Sequence, residues 1–373
     1  MITYKNKRKA KQRFCLAFLY ILNIQNILLC MRKTRKLFLL FILIMTLCCS
    51  SCKMKTKIDV ESSLVPINAK SYIVLDQITG RVIEGSAIHT RILPASTTKI
   101  LTCLTVLNYF DINSYIVITH DMIDIVGSKI YLEVGDIILV KDLLYGLMLN
   151  SGNDASQTLA IGLTGSVKNF VYLMNEECKK IGMLNSTFEN PSGLDEDTKN
   201  ITTAYDMALL MKEALNNSMF RQIVSTKEYS AKLLNGRKLY FNNKHRLVHT
   251  NSFVTGGKTG YTKQAGRTLL TSYKKDDFEI IVGTFDCAND WEIHNSLANS
   301  TFNKIRQVKL ISRYEILKLT NLKVNKNNIL FPLFSYEKKD SFEITIKEIN
   351  DNYYLNYYLN DNLIGSVKLK EDD

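Results

Sequence analysis

Histidine is scarce in this chain, and beyond residue 57 so are cysteine and net charge; each shortage removes a class of function. Five histidines occur in 373 residues, none in a His-Glu-x-x-His arrangement, which leaves little from which to build a catalytic zinc site. Five of the eight cysteines (Cys15, Cys30, Cys48, Cys49 and Cys52) lie near the N-terminus, while Cys103, Cys178 and Cys287 are odd in number and far apart. They supply neither a disulfide framework nor a metal knuckle. Hydrolytic chemistry, if present, is expected to run without metal or cofactor. The formal charge of +12 does not indicate a nucleic-acid binder either. Of 48 Lys and Arg, thirteen lie in residues 1–57, where there is no Asp or Glu, so 35 basic residues face all 36 acidic ones in the rest. DNA or RNA binding needs the basic excess on the folded surface, and here the body is about neutral. A mean hydropathy of −0.05 also argues against a disordered chain and a polytopic membrane protein.

The basic excess surrounds apolar runs. Arg32, Lys33, Arg35 and Lys36 precede Leu37–Cys49, which is followed by Ser50, Ser51 and Cys52, the three parts of a secretory signal. The core is therefore expected outside the cytoplasm, with any membrane attachment made through this leader. A second apolar run, Phe14–Leu29, lies upstream but is interrupted by Asn23, Gln25 and Asn26, a poor span that favours Met31 as the true start. Cys52 is a candidate for lipidation, although Cys49 stands where a lipoprotein signal carries Leu.

Past the leader, Tyr72–Asp76 and Arg81–Glu84 read as a hairpin. Ile100, Leu101, Leu104 and Leu107 recur at helical spacing, as do Leu143, Leu144 and Leu147, and Tyr205, Ala208 and Leu209. Strands follow at Phe253–Thr262, Thr268–Tyr273 and Glu279–Phe285. Strand, helices, then strands predict an α+β fold, an antiparallel sheet covered by helices, over residues 58–303. From residue 304 to 373 the pattern is alternating and aromatic, with Asn360-Asp361-Asn362 as a turn, and reads as a small all-β domain.

Three short motifs could carry chemistry. In Pro94-Ala95-Ser96-Thr97-Thr98-Lys99 the proline opens a helix, and Ser96 and Lys99 share a face three residues apart. A lysine held neutral by burial and a neighbouring cation can take the serine proton, and N–H groups at the helix start can stabilise an oxyanion. Alone the pattern says little: Ser-x-x-Lys occurs at Ser50, Ser96, Ser272 and Ser335, and a solvated pair is the ordinary explanation. Ser151-Gly152-Asn153 is the only Ser-x-Asn; it offers a hydroxyl for proton relay and a carboxamide for a substrate amide, or it is merely a polar turn. Lys258-Thr259-Gly260 also occurs once. It provides positive potential, a hydroxyl and close backbone approach, or it is an edge strand with a surface lysine.

In this order the three motifs match the set of penicillin-binding proteins and serine β-lactamases, and the chain resembles the D-alanyl-D-alanine carboxypeptidases, the low-molecular-mass penicillin-binding proteins. The resemblance continues through Leu143–Leu149, Ser151–Ala155, Asn190-Pro191-Ser192-Gly193-Leu194-Asp195, Thr203–Asp206 and Lys258–Thr262 with Ala265-Gly266, over roughly residues 65–300. It implies the β-lactamase/transpeptidase-like fold and release of the terminal D-alanine from peptidoglycan pentapeptides. By the same resemblance, Ser96 is the acylated nucleophile, Lys99 its base and Ser151 the proton relay. Asn153 holds the substrate amide, Lys258 and Thr259 bind near the terminal carboxylate, and Gly260 allows close backbone approach. The backbone N–H groups of Ser96 and Tyr261 form the oxyanion hole. Arg246 is a candidate second carboxylate ligand. Partners are stem peptides and β-lactams. Many relatives end in an amphipathic helix, whereas this chain ends in Lys370-Glu371-Asp372-Asp373 after a strand-like run.

Three rivals stand beside this reading. A class A β-lactamase deacylates with a Glu in Glu-x-x-Leu-Asn, and only Glu213-Ala214-Leu215-Asn216 comes near it between Ser151 and Lys258. A Ser-His-Asp hydrolase would have to use His89, His245 or His249 without a Gly-x-Ser-x-Gly elbow. A non-catalytic cell-wall or β-lactam sensor need not retain Lys99 or Ser151.

Overall fold

The computed structural model describes residues 2–3, 67–197, 199–324 and 329–369; apart from Ile2–Thr3, the expected leader with its signal segment and Cys52 lies outside these residues. A strand rich in apolar residues and buried on both faces belongs in the middle of a sheet. Phe278–Cys287 is such a strand, buried everywhere except Asp286, and it forms the centre of a five-stranded antiparallel sheet. Calling the strands β1 (Ala69–Asp76), β2 (Val82–Ser86), β3 (Val254–Thr262), β4 (Gly266–Lys275) and β5 (Phe278–Cys287), the order is β2-β1-β5-β4-β3. Val282 stands opposite Val74 on one side and Thr271 on the other.

Alternation sorts the strand residues into two cores. Ile73, Leu75, Leu270, Ile281 and Phe285 join the large core built with α1 (Lys99–Tyr109), α2 (Val140–Leu149), α3 (Asn153–Thr164), α4 (Val167–Ile181), α5 (Ala204–Ala214) and α6 (Ser218–Ser225). Val74, Tyr273, Ile280 and Val282 face the other way, onto Ile293, Leu297 and Ala298 of α7 (Asp290–Lys304). The ends of α4 carry their own signals: Ser166 caps its N-terminus and Gly182, at φ +87°, closes its C-terminus.

Two of the boundaries that differ from the sequence reading adjoin the motifs. The helix expected to open at Pro94 begins with a 3-10 turn, Ala95–Thr98, and becomes α-helical at Lys99. The strand expected from Phe253 begins at Val254, and Phe253 is exposed.

In the tail, β6 (Ile305–Lys309) pairs with β7 (Leu330–Phe334) around α8 (Arg313–Thr320). β8 (Phe342–Ile349), β9 (Asn352–Leu359) and β10 (Asn362–Lys368) form a meander, with Ile2–Thr3 on the outer edge of β8. Both two-residue turns, Asn350-Asp351 and Asn360-Asp361, have positive φ, as type I′ hairpins require. Phe331, Leu355 and Tyr357 are fully buried in a separate apolar cluster, so this tyrosine is a packing residue. The tail is fastened to the β1–β2 turn. Arg81 donates to Glu337 Oε1 at 2.5 Å, to Glu337 Oε2 at 3.0 Å and to Pro332 O at 2.5 Å, and its guanidinium lies over the Phe331 and Phe334 rings.

Both partners of this ion pair are nearly buried (8% and 10% exposed), so removing one leaves an uncompensated charge. Arg81→Ala is expected to cost about 3–5 kcal/mol in urea unfolding. Arg81→Met combined with Glu337→Leu should recover most of that loss; equal destabilisation by the single and double variants would contradict this account.

Candidate active site

Ser96 sits in the 3-10 turn, where Pro94 O accepts hydrogen bonds from Thr97 Oγ1 at 2.6 Å and from Thr268 Oγ1 of β4 at 2.9 Å. The turn is thereby tied to the sheet. One helical turn on, the Lys99 side chain is fully buried. Its Nζ donates to Asn153 Oδ1 at 2.8 Å and to Ser192 O at 2.6 Å, and lies 3.0 Å from Ser96 Oγ. Two of these partners are oxygens that can only accept. They use two N–H bonds, so in a neutral amine the lone pair faces the serine hydroxyl. Burial, followed by the charges of Lys258 and Lys244, pushes Lys99 well below the usual lysine range against the opposing pull of Asp154.

Ser151 occupies the turn between α2 and α3 with φ +60°. Its Oγ accepts from Lys258 Nζ at 3.0 Å, and Lys258 also donates to Thr259 O at 2.9 Å. Lys258 lies on the edge strand β3, as the bland reading had it, but is 1% exposed and therefore no surface lysine. Burial, then the charge of Lys244, lowers it to about 7. Thr259 is half-buried and Tyr261 is exposed. A side chain at Gly260 would place its Cβ 2.8 Å from Ser96 N and 2.4 Å from Thr268 Oγ1; glycine lets β3 run this close to the Ser96 backbone.

Asn153 does more than the sequence indicated. Besides receiving Lys99, it donates through Nδ2 to Val126 O at 2.7 Å, and its backbone N donates to Ser128 O at 2.7 Å. One carboxamide N–H remains for a substrate carbonyl. The buried Asp154 holds the same loop, accepting from Ile130 N at 2.9 Å and Leu132 N at 3.3 Å. Ser192 was visible only as part of a matching segment; its contribution is a backbone carbonyl, which no side chain announces. Its neighbour Gly193 has φ +88°, and a Cβ there would lie 1.8 Å from Ala95 O.

Other sequence candidates fall elsewhere. Arg246, in the short helix Arg246–Thr250, lines a surface depression with Asn150, Tyr240, Asn242, Lys244 and His249; none of Ser96, Lys99, Ser151, Lys258 and Thr259 lines it. Ser272 and Lys275 lie on β4, where an odd spacing puts them on opposite faces. His89 packs against Tyr205, His245 is buried against Thr271, and His249 bonds Asn243 O. Glu213 is exposed, and Asn216 accepts from Gln77 in the β1–β2 turn. Among the described residues no His, Cys, Asp and Glu group is arranged to hold a metal.

The D-alanyl-D-alanine carboxypeptidase profile, peptidase S11, matches residues 57–289. The chain belongs to this family. The D-alanyl-D-alanine carboxypeptidase DacF of Bacillus subtilis is 30% identical over 270 residues, 70% of this chain and 69% of that protein. DacC of Escherichia coli is 33% identical over 229 residues; the match spans 58% of this chain and 56% of DacC. Among solved structures, a single-site variant of the Streptomyces K15 DD-transpeptidase superposes with a TM-score of 0.61 at 28% identity, covering 64% of this chain and 99% of that one. The expected fold is thus that of the DD-peptidases, with helices over an antiparallel sheet; the C-terminal tail is mainly β, and the helix Arg313–Thr320 between its first two strands departs from the all-β expectation.

Family membership makes the Gly193–Ala95 contact a specific test. Gly193→Ala must displace the turn carrying Ser96, and a shift of about 1 Å in a reacting group can cost roughly 100-fold in rate. The variant is expected to fold but to react with penicillin roughly 100-fold more slowly, measured by stopped-flow acylation.

Proposed function

We propose that this chain is a penicillin-sensitive serine D-Ala-D-Ala carboxypeptidase that removes the terminal D-alanine from peptidoglycan pentapeptides through an acyl-enzyme on Ser96. The observation that carries this reading is the fully buried Lys99 amine, its N–H groups taken by Asn153 Oδ1 and Ser192 O, at 3.0 Å from the Ser96 hydroxyl. The catalytic unit is residues 58–303, with the tail from 304 as an accessory β domain. Its substrate places the action outside the cytoplasm, and attachment to the membrane is assigned to the leader. No helix of the described residues is long and apolar enough to cross a membrane.

In the forward step Lys99 Nζ takes the Ser96 proton as Oγ attacks the carbonyl carbon of the penultimate D-alanine. The oxyanion meets the backbone N–H groups of Ser96 and Tyr261. As the C–N bond breaks, Ser151 Oγ gives its proton to the leaving amine and is resupplied by Lys258. Lys258 and Thr259 hold the terminal carboxylate, and the free N–H of Asn153 holds the substrate amide. Water then attacks the ester with the proton transfers reversed. The position of Glu213, exposed at the end of α5, supports slow loss of a bound β-lactam, because no carboxylate from that segment is offered to the ester.

The decisive experiment incubates the full chain with a fluorescent penicillin and follows intact mass, beside Ser96→Ala. A persistent adduct of one equivalent, absent in the variant, together with D-alanine release from a pentapeptide, is the expected result. Rapid turnover of the drug would mark a β-lactamase, and no adduct on folded protein would overturn the assignment.

The pH profile follows from the two lysines. Reactivity needs Lys99 uncharged, so it is lost as pH falls through the depressed Lys99 value. Carboxylate binding needs Lys258 charged, so it is lost as pH rises through about 7. For peptide hydrolysis kcat/KM should be bell-shaped, its limbs belonging to the coupled pair. A bound carboxylate favours the Lys258 ammonium, so the alkaline limb of kcat should lie at higher pH than that of kcat/KM.

A further inference from the structure

A third lysine stands at the site with no role yet. Lys244 is partly exposed, and its Nζ donates to Ser128 Oγ at 3.2 Å. Its backbone N donates to Leu149 O at the end of α2, and two residues earlier Asn242 N donates to Asn150 Oδ1. Ser128 in turn belongs to the loop that clasps Asn153: Ser128 O accepts from Asn153 N, and Val126 O accepts from Asn153 Nδ2. Gly127 lies between them, and a Cβ there would meet Asn153 Nδ2 at 2.7 Å. The main chain of Lys244 is thus tied to the helix end before Ser151, and its side chain reaches the loop that seats Asn153.

We propose that Lys244 is a further positioning residue for acylation, a strap across the Ser151-Gly152-Asn153 turn that seats the Asn153 carboxamide on Lys99 and adds positive charge beside the two buried lysines. The proposal rests on the Ser96 reading above.

The charges around the strap are those of Lys99 on α1, Lys258 on β3, Asp154 on α3, Lys129 on the loop, and Arg246 and His249 on the following short helix. Lys129 is turned away, donating to Ile123 O at 3.2 Å. Asp154 is taken up by the backbone N–H groups of Ile130, Leu132 and Ala155. Among the described residues no carboxylate lies within ion-pair distance of Lys244. Its charge is therefore not cancelled by a direct partner, and it acts on Lys99 and Lys258 in the same sense, against their protonation.

The test measures the second-order rate of penicillin acylation against pH for the full-length wild type, Lys244→Met, Lys244→Arg and Ser128→Ala, with thermal unfolding of each. Lys244→Met should lose 10- to 100-fold in rate, and its acid limb should move to higher pH because Lys99 then protonates more readily. Ser128→Ala should share part of the rate loss without moving the limb, and Lys244→Arg should restore both rate and limb. A Lys244→Met protein with wild-type rate and limb would overturn this inference alone. So would a rate loss that Arg does not rescue and that only tracks a lowered unfolding temperature. A wild type that takes up no penicillin would overturn the Ser96 reading as well.

Discussion

Everything at this site depends on keeping one amine uncharged. A serine hydroxyl is a poor nucleophile until a base removes its proton, and a solvated lysine is no base at neutral pH. In the proposed mechanism that base is Lys99, which the fold buries completely and sets near a second buried lysine; burial and the neighbouring charge both oppose its protonation. Burying a group that would be charged in water costs stability, so the cleft spends part of what the large apolar core supplies. Asn153, Ser192 and Lys258 come from three separate parts of the chain: the two oxygens orient the amine, and the charge of Lys258 opposes its protonation.

Backbone proximity does the rest. The 3-10 turn carrying Ser96 is pinned from one side by Thr268 of the sheet and crowded from another by Gly193, while β3 passes it at Gly260. The Gly193 and Gly260 approaches are close packing against main-chain atoms and the Thr268 hydroxyl adds a side-chain tie, so Ser96 sits in a frame instead of at the end of a flexible arm. The large core stands behind that frame, with Leu101, Leu104, Leu143 and Leu159 all buried within it.

The candidate side chains were legible in the sequence because each pair is local: Lys99 follows Ser96 by three positions, and Asn153 follows Ser151 by two. The sheet was legible through its apolar strands and the helices through their periodicity. What was not legible is long-range or lacks a side-chain signature. Ser192 acts through its carbonyl, and the burial of Lys258 depends on Ser151, 107 residues away in sequence. The contact between Lys99 and Asn153 spans 54 residues, and neither motif alone reveals that the carboxamide accepts from the lysine. In the tail, β6 and β7 pair across an intervening helix, a return that alternation alone does not predict. Arg246 lies on a short helix and lines a depression with Asn150 and Lys244, a placement that residue type and position alone do not reveal.

The Arg81 clamp has a mechanical meaning. It fastens the tail to the turn joining β1 and β2, whereas the strand bearing Lys258 is the opposite edge of the same sheet. Pulling or anchoring the tail therefore loads the sheet at its far border, and β1, β5 and β4 stand between that load and the cleft. The tail can serve as a handle, gripped at the border of the sheet farthest from the strand that carries Lys258.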